Sequence, residues 1–339
     1  MEKAILSIKP LSFPWETKNP FLFCVHHEDH YPAGNDDLGP TTSLGGRMIG
    51  QDFTIKDGFR MYHGRKVPGF PAHPHRGFET VTIVRKGFVD HSDSLGAAGR
   101  FGNGDVQWLT TGKGVQHSEM FPLLNKEKDN PFELFQIWLN LPASKKMAEP
   151  HYAMLWNDEI PVVEIPDKED HITKVHLVAG EIKGQKAPDP APDSWAADPE
   201  NNVAIWTIEM EPGAEWAIPT TAKEVNRTLY FFVGNHVEVN GEDIPHYHAV
   251  ELKPDEPVTV KNNGEESAEF LVLQGKPIDE PVVQHGPFVM NNHTEIQDTI
   301  YDYQMSQFGG WPWPSAENVH PRESGRFAKF ADGSVVKKD

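Results

Sequence analysis

The 339-residue chain has a single cysteine, few helical stretches, a shortage of basic residues and no long apolar run. Cys24 has no internal partner, so no disulfide framework holds the fold, and a reducing, cytoplasm-like compartment is expected. Lys and Arg number 31 against 50 Asp and Glu, a formal net charge of −19. A balance that negative repels phosphate backbones and argues against a broad nucleic-acid-binding face. No apolar stretch approaches the roughly 18 residues of a membrane span. Pro10 and Pro14 interrupt the segment where a secretory leader would need a continuous apolar region, so no leader is expected. Helical patterning is weakest of all. Its best case, Ser144–Trp156, contains Pro150 and allows two short turns at most.

Several chemistries are missing too. There is no G-x-S-x-G elbow, no G-x-x-x-x-G-K-[ST] loop, and no G-x-G-x-x-G between a strand and a helix. Cys24 lacks a histidine partner on a plausible strand, which argues against a cysteine nucleophile.

What is present is β structure. Phe78–Arg85, Phe132–Leu141, Val203–Met210, Thr228–Val233 and Ala268–Gln274 are β-branched or aromatic runs. Turns punctuate them, and Asn240-Gly241 between Val237–Val239 and Ile244 is a strong hairpin signal. Glycine (28) and proline (29) together make up about one residue in six, spread along the chain as turns between short strands require. An all-β sandwich or barrel is therefore expected. Pro32–Pro68, rich in Gly and Asp, reads as an insertion, and Gly184–Asn202 as a surface loop or linker. The more natural domain boundary lies near 144–156, since strand-like segments resume on both sides.

The chemistry concentrates between Phe70 and Pro122. His73 and His75 are spaced i, i+2, so on a strand both leave from one face. Glu79 would share that face if the strand ran on unbroken. His117 and Glu119 repeat the spacing after Gly112 and Gly114. On neighbouring antiparallel strands, with facing residues about 5 Å apart, these pairs would present three imidazoles and one carboxylate to one point. Such a donor set suits a divalent transition metal: iron, manganese, nickel, copper or zinc. A lone His-x-His is more often two ordinary histidines, but two dyads behind Gly/Pro turns are much harder to obtain by accident. His26, His27 and His30 precede the insertion, and His246 and His248 lack a downstream dyad; all five are expected to be solvated.

His73–Val81 (HPHRGFETV) and Asp105–Met120 (DVQWLTTGKGVQHSEM) resemble the signature of the pirins, a family of bicupins. Phe135–Leu141 (FQIWLNL) is similar to the close of their first cupin, and Gly275–Asn291 (GKPIDEPVVQHGPFVMN) to the stretch after their second. The 32–68 insertion departs from the family pattern and bears on the shape of the pocket mouth.

The resemblance implies two cupin (jelly-roll-like) barrels in tandem with few short helices. Residues 1–145 would form the metal-binding cupin and 146–300 a cupin without metal; in the 301–339 tail, Trp311 and Trp313 around Pro312 are themselves expected to anchor it onto a sheet. The resemblance assigns His73, His75, His117 and Glu119 as metal ligands, Fe(II) as the foremost metal, and Glu79 as a neighbour of the site or a competing ligand. It implies dioxygenase opening of quercetin-like flavonols with molecular oxygen, Glu119 serving as the base. The rival implied by the same family is a non-catalytic, iron- and redox-sensing regulator that binds a transcription factor or a metabolic enzyme.

Overall fold

The structure, a computed structural model, describes residues 4–338. It is nearly all β, with one α-helix among the described residues, His293–Ser306. The chain forms two compact units: residues up to Cys24 with Asp158–Asp279, and Val25–Asn157 with Glu280 onward. The first ten strands are β1 (Ile5–Pro10), β2 (Phe21–Tyr31), β3 (Gly69–His75), β4 (Phe78–Lys86), β5 (Phe88–Asp93), β6 (Ala98–Gly102), β7 (Val106–Thr110), β8 (Val115–Met120), β9 (Asn130–Asn140) and β10 (His151–Leu155).

These units differ from the expected boundaries at 145 and 300, and strand pairing gives the reason. β1 pairs antiparallel with His248–Leu252, so the N-terminal strand completes a sheet of the unit built mainly from 158–279. At the other end, Arg326–Lys329 pairs with β6, through Ala328 opposite Gly99, and extends a sheet of the unit containing β3–β10. Backbone ladders between residues more than 200 positions apart leave no local signature in sequence.

In the unit of β3–β10 two antiparallel sheets face each other. One runs β10-β7-β4-β9-β2; the other runs β3-β8-β5-β6 and continues into the two C-terminal strands. Val84, Leu109, Leu134 and Met154 from the first meet Val89, Phe101 and Val115 from the second in one buried cluster. Each fully buried side chain of this kind contributes about 1.5–3 kcal/mol, so the core needs no metal to hold it. The other unit has a seven-stranded and a four-stranded sheet around its own apolar core. Its hairpin turns at Asn240 and Gly241, both at positive φ (49° and 76°), the conformation that an Asn-Gly turn supplies.

Of the two short turns allowed at 144–156, one 3₁₀ turn forms, at Ala143–Lys145, and His151–Leu155 becomes β10, paired to β7 with Tyr152 opposite Leu109. Pro150 ends any helix, and the alternation of Tyr152 and Met154 into the core selects a strand. The helix that does form begins at Asn292, whose side chain accepts from Glu295 N (3.0 Å) and donates to Glu295 Oε1 (2.8 Å). The Asn-x-x-Glu spacing is a helix N-terminus signal that the sequence carries. In the tail, Trp313 Nε1 donates to the Asp93 carbonyl at 2.7 Å, while Trp311 Nε1 donates to Ser315 O. Of the two tryptophans, it is Trp313 whose indole bonds to a strand of the site-bearing sheet.

Candidate metal centre

β3 and β8 are direct neighbours, with His73 opposite His117, and a bulge between Phe70 and His73 restores the register so that Phe70 opposes Glu119. Residues directly opposite in an antiparallel ladder share a face. The ring centroids of His73 and His117 are 4.5 Å apart, those of His73 and His75 4.8 Å, and those of His75 and His117 5.0 Å. One ligand nitrogen from each lies within 4.8 Å of the other two. The turn into β8 requires Gly114: its φ is 130°, and a Cβ there would meet the Phe308 ring at 2.7 Å.

The donors fit a metal ion. His73 Nδ1–H donates to Pro71 O at 2.9 Å, which leaves Nε2 for a ligand bond. His75 Nδ1 faces Pro287 O at 3.4 Å. His117 is fully buried, and neither ring nitrogen has a hydrogen-bond partner. An unpaired buried polar atom costs about 1–3 kcal/mol, a penalty that coordination would remove. Burial also pushes the imidazole pKa values down, His73 to about 4 and His75 and His117 well below the usual range. Neutral imidazole is the ligating form.

Glu119 stands slightly apart from this triad. Its Oε2 is 3.7 Å from His117 Nε2, while Thr82 Oγ1 donates to its Oε1 at 3.0 Å and Gln136 Nε2 to its Oε2 at 3.1 Å. Burial raises its pKa above the ordinary carboxylate value, and the Thr82 and Gln136 hydrogen bonds offset part of that. A carboxylate so placed can reach an ion beside the histidines and can also take up a proton.

Glu79 does not share this face. β3 stops at His75, the chain turns through Gly77 at φ 89°, and β4 starts a new alternation at Phe78. Thr82 points at Glu119, so Glu79, three residues away on the same strand, lies on the opposite face, where Thr110 Oγ1 donates to its Oε1 at 2.7 Å. The expectation of solvated histidines also needs correction. His26 and His27 are buried on β2, one bonded to Glu133 (3.1 Å) and the other to the Tyr62 hydroxyl (2.8 Å). They are staples between β2 and its neighbours in sequence and space. His30 and His246 are exposed and His248 is half-buried. Cys24 is buried, and desolvation pushes its thiol pKa far up, which removes it as a nucleophile.

Sequence reading missed His91 and Asp93. On β5 they oppose Glu119 and His117, fully buried, with His91 Nε2 3.1 Å from Asp93 Oδ2 and the His91 ring stacked on Tyr152. They form a third i, i+2 pair, the same signal that singled out the other two.

The fold and these ladders define a bicupin. The family model for pirin matches residues 42–139, and that for the pirin C-terminal cupin domain matches 205–309. The chain is 35% identical to human pirin over 257 residues, covering 74% of this chain and 81% of that protein. It is 36% identical to a tomato pirin-like protein, covering 71% and 77%. The crystal structure of a quercetin 2,3-dioxygenase from Acinetobacter baumannii superposes with a TM-score of 0.70 at 26% identity, over 90% of this chain and 98% of that one. The chain belongs to the pirin family. No helix among the described residues is long and apolar enough to cross a membrane.

Proposed function

We propose that this chain is a metal-dependent dioxygenase that opens flavonols of the quercetin type with molecular oxygen. His73, His75, His117 and Glu119 would hold one divalent ion, foremost Fe(II). The observation that carries the reading is the buried three-histidine face with Glu119 beside it, its affinity for protons raised by burial. The likeness to a quercetin 2,3-dioxygenase supports the same substrate class.

A bound divalent ion supplies Lewis acidity at the flavonol hydroxyl and electron exchange with oxygen. The protein's own groups do the rest. Glu119 takes the hydroxyl proton, and its raised pKa brings it closer to the operating pH than an exposed carboxylate would be. Thr82 and Gln136 fix the carboxylate's orientation. Phe70, opposite Glu119, and Trp138, 5.3 Å from the His75 ring, flank the histidines with aromatic surface that favours a planar aromatic substrate.

The test is anaerobic loading with Fe(II), addition of quercetin and then oxygen, with flavonol absorbance followed in time. Loss of absorbance that requires the metal supports the reading. A fully loaded protein that leaves quercetin intact, yet retains a transcription factor or metabolic enzyme only in one iron redox state, overturns it in favour of the regulator.

A further inference from the structure

Residues 47–63, within the insertion, form a tied-down lobe next to β3. Arg47 is its scaffold. Its side chain is fully buried, Nη1 donates to Asp52 Oδ2 (2.9 Å) and Phe59 O (3.0 Å), and the guanidinium lies 3.8 Å over the Phe59 ring. Asp52 and Tyr62 exchange both backbone hydrogen bonds, at 2.8 and 3.0 Å, and His63 Nδ1–H donates to Gly50 O at 2.7 Å. A loop braced this way cannot turn its apolar side chains inward at will. Yet Met48 is 72% exposed, Ile55 59% and Phe53 42%.

The exposed ring of Phe53 leads to the metal centre. Phe53 and His63 meet edge-on at 5.0 Å, both adjoin Phe70 (6.4 and 5.7 Å), and Phe70 adjoins the ligand His73 at 6.3 Å. Phe70 also opposes Glu119 across the ladder. Two ring-to-ring steps thus join solvent to the first metal ligand. All the spacings fall within the roughly 4.5–7 Å at which aromatic rings attract one another, so a further planar ring laid against Phe53 and His63 gains the same attraction.

We propose that this lobe, through Phe53 and His63, is a specificity site for a planar aromatic group attached to the metal-chelating part of the ligand. It selects ligands that carry such a second ring over ligands consisting of the chelating ring alone. This rests on the flavonol reading above and goes beyond it by assigning the pendant ring to the insertion.

Two probes separate the two ideas. 3-Hydroxyflavone and maltol share the chelating hydroxypyranone, but only the flavone has a pendant phenyl ring. Binding is titrated by absorbance on the protein loaded with Zn(II), which carries no redox chemistry, so turnover is not needed. Phe53→Ala is expected to weaken 3-hydroxyflavone about tenfold, at the upper end of an aromatic pair's worth, and to leave maltol within about twofold. Phe53→Trp should restore the flavone. Metal content serves as the control and should not move, while the thermal midpoint falls by no more than a few degrees for the lost contacts of a part-exposed ring. Equal losses for both probes, or none for the flavone, overturn the proposal while leaving the flavonol reading intact. If the wild-type protein binds neither probe, the flavonol reading itself fails and this inference with it.

Discussion

Thr82 and Glu119 sit on opposite sheets of the unit that carries the three-histidine cluster, and the 3.0 Å hydrogen bond between them is a direct link from the β4 sheet to strand β8. It stabilises the ionised carboxylate against the burial that raises its pKa. Thr82→Val keeps the shape and deletes the donor, so the Glu119 pKa should rise further. The acidic limb of the turnover–pH profile should move to higher pH, by roughly half a unit to one unit for a single hydrogen bond of 0.5–1.5 kcal/mol. A profile that does not move would remove Glu119 from the rate-controlling ionisation.

Glu119→Gln preserves size and shape but removes the charge and the base. With three imidazoles remaining, metal is expected to bind more weakly, while flavonol turnover falls by about two orders of magnitude or more. Metal analysis and oxygen-dependent bleaching of quercetin read the two effects separately. Full metal with undiminished turnover would refute the base assignment.

His75→Ala removes one of three converging donors. Metal content after dialysis should drop sharply. The metal-free midpoint should fall by only a few degrees, since Leu109, Phe101 and Val115 supply the core.

The depressed histidine pKa values carry a pH signature in the metal-free protein. Above pH 6.5 these imidazoles are neutral folded and unfolded alike. Below it the unfolded chain takes up protons that the folded chain refuses until about pH 4 at His73 and lower still at His75 and His117. Stability is therefore present above pH 6.5 and is lost as the pH falls. Thermal scans between pH 7 and 5 should show a falling midpoint, with a smaller fall in the His75→Ala variant.

Asp90 and Arg100 form a fully buried two-point ion pair at 2.7 and 2.8 Å, and Asp90 also accepts from His320 N while Arg100 donates to the carbonyls of His320 and Pro321. Asp90→Ala leaves a buried guanidinium without its counter-charge and should cost about 3–5 kcal/mol, read in denaturant unfolding. It should also release the C-terminal segment to proteolysis.

The sequence by itself determined the class of fold and the placing of His73 with His75 on one face, because both rest on local rules. Alternation of period two makes strands at 78–86 and 204–210, Asn240-Gly241 makes a turn, and i, i+2 spacing puts His73 with His75 on one face. Tertiary structure decided the rest, since those outcomes depend on which strands become neighbours. The bulge before His73 sets Phe70 against Glu119, and the Gly77 turn reverses the parity that would have brought Glu79 to the site. Pairing with Thr82 and Gln136 holds the Glu119 carboxylate toward the facing sheet, β5 sets His91 and Asp93 opposite Glu119 and His117, and ladders from both ends of the chain move the unit boundaries. Register and face are properties of a pair of strands, and a single strand's sequence carries only its own half of each.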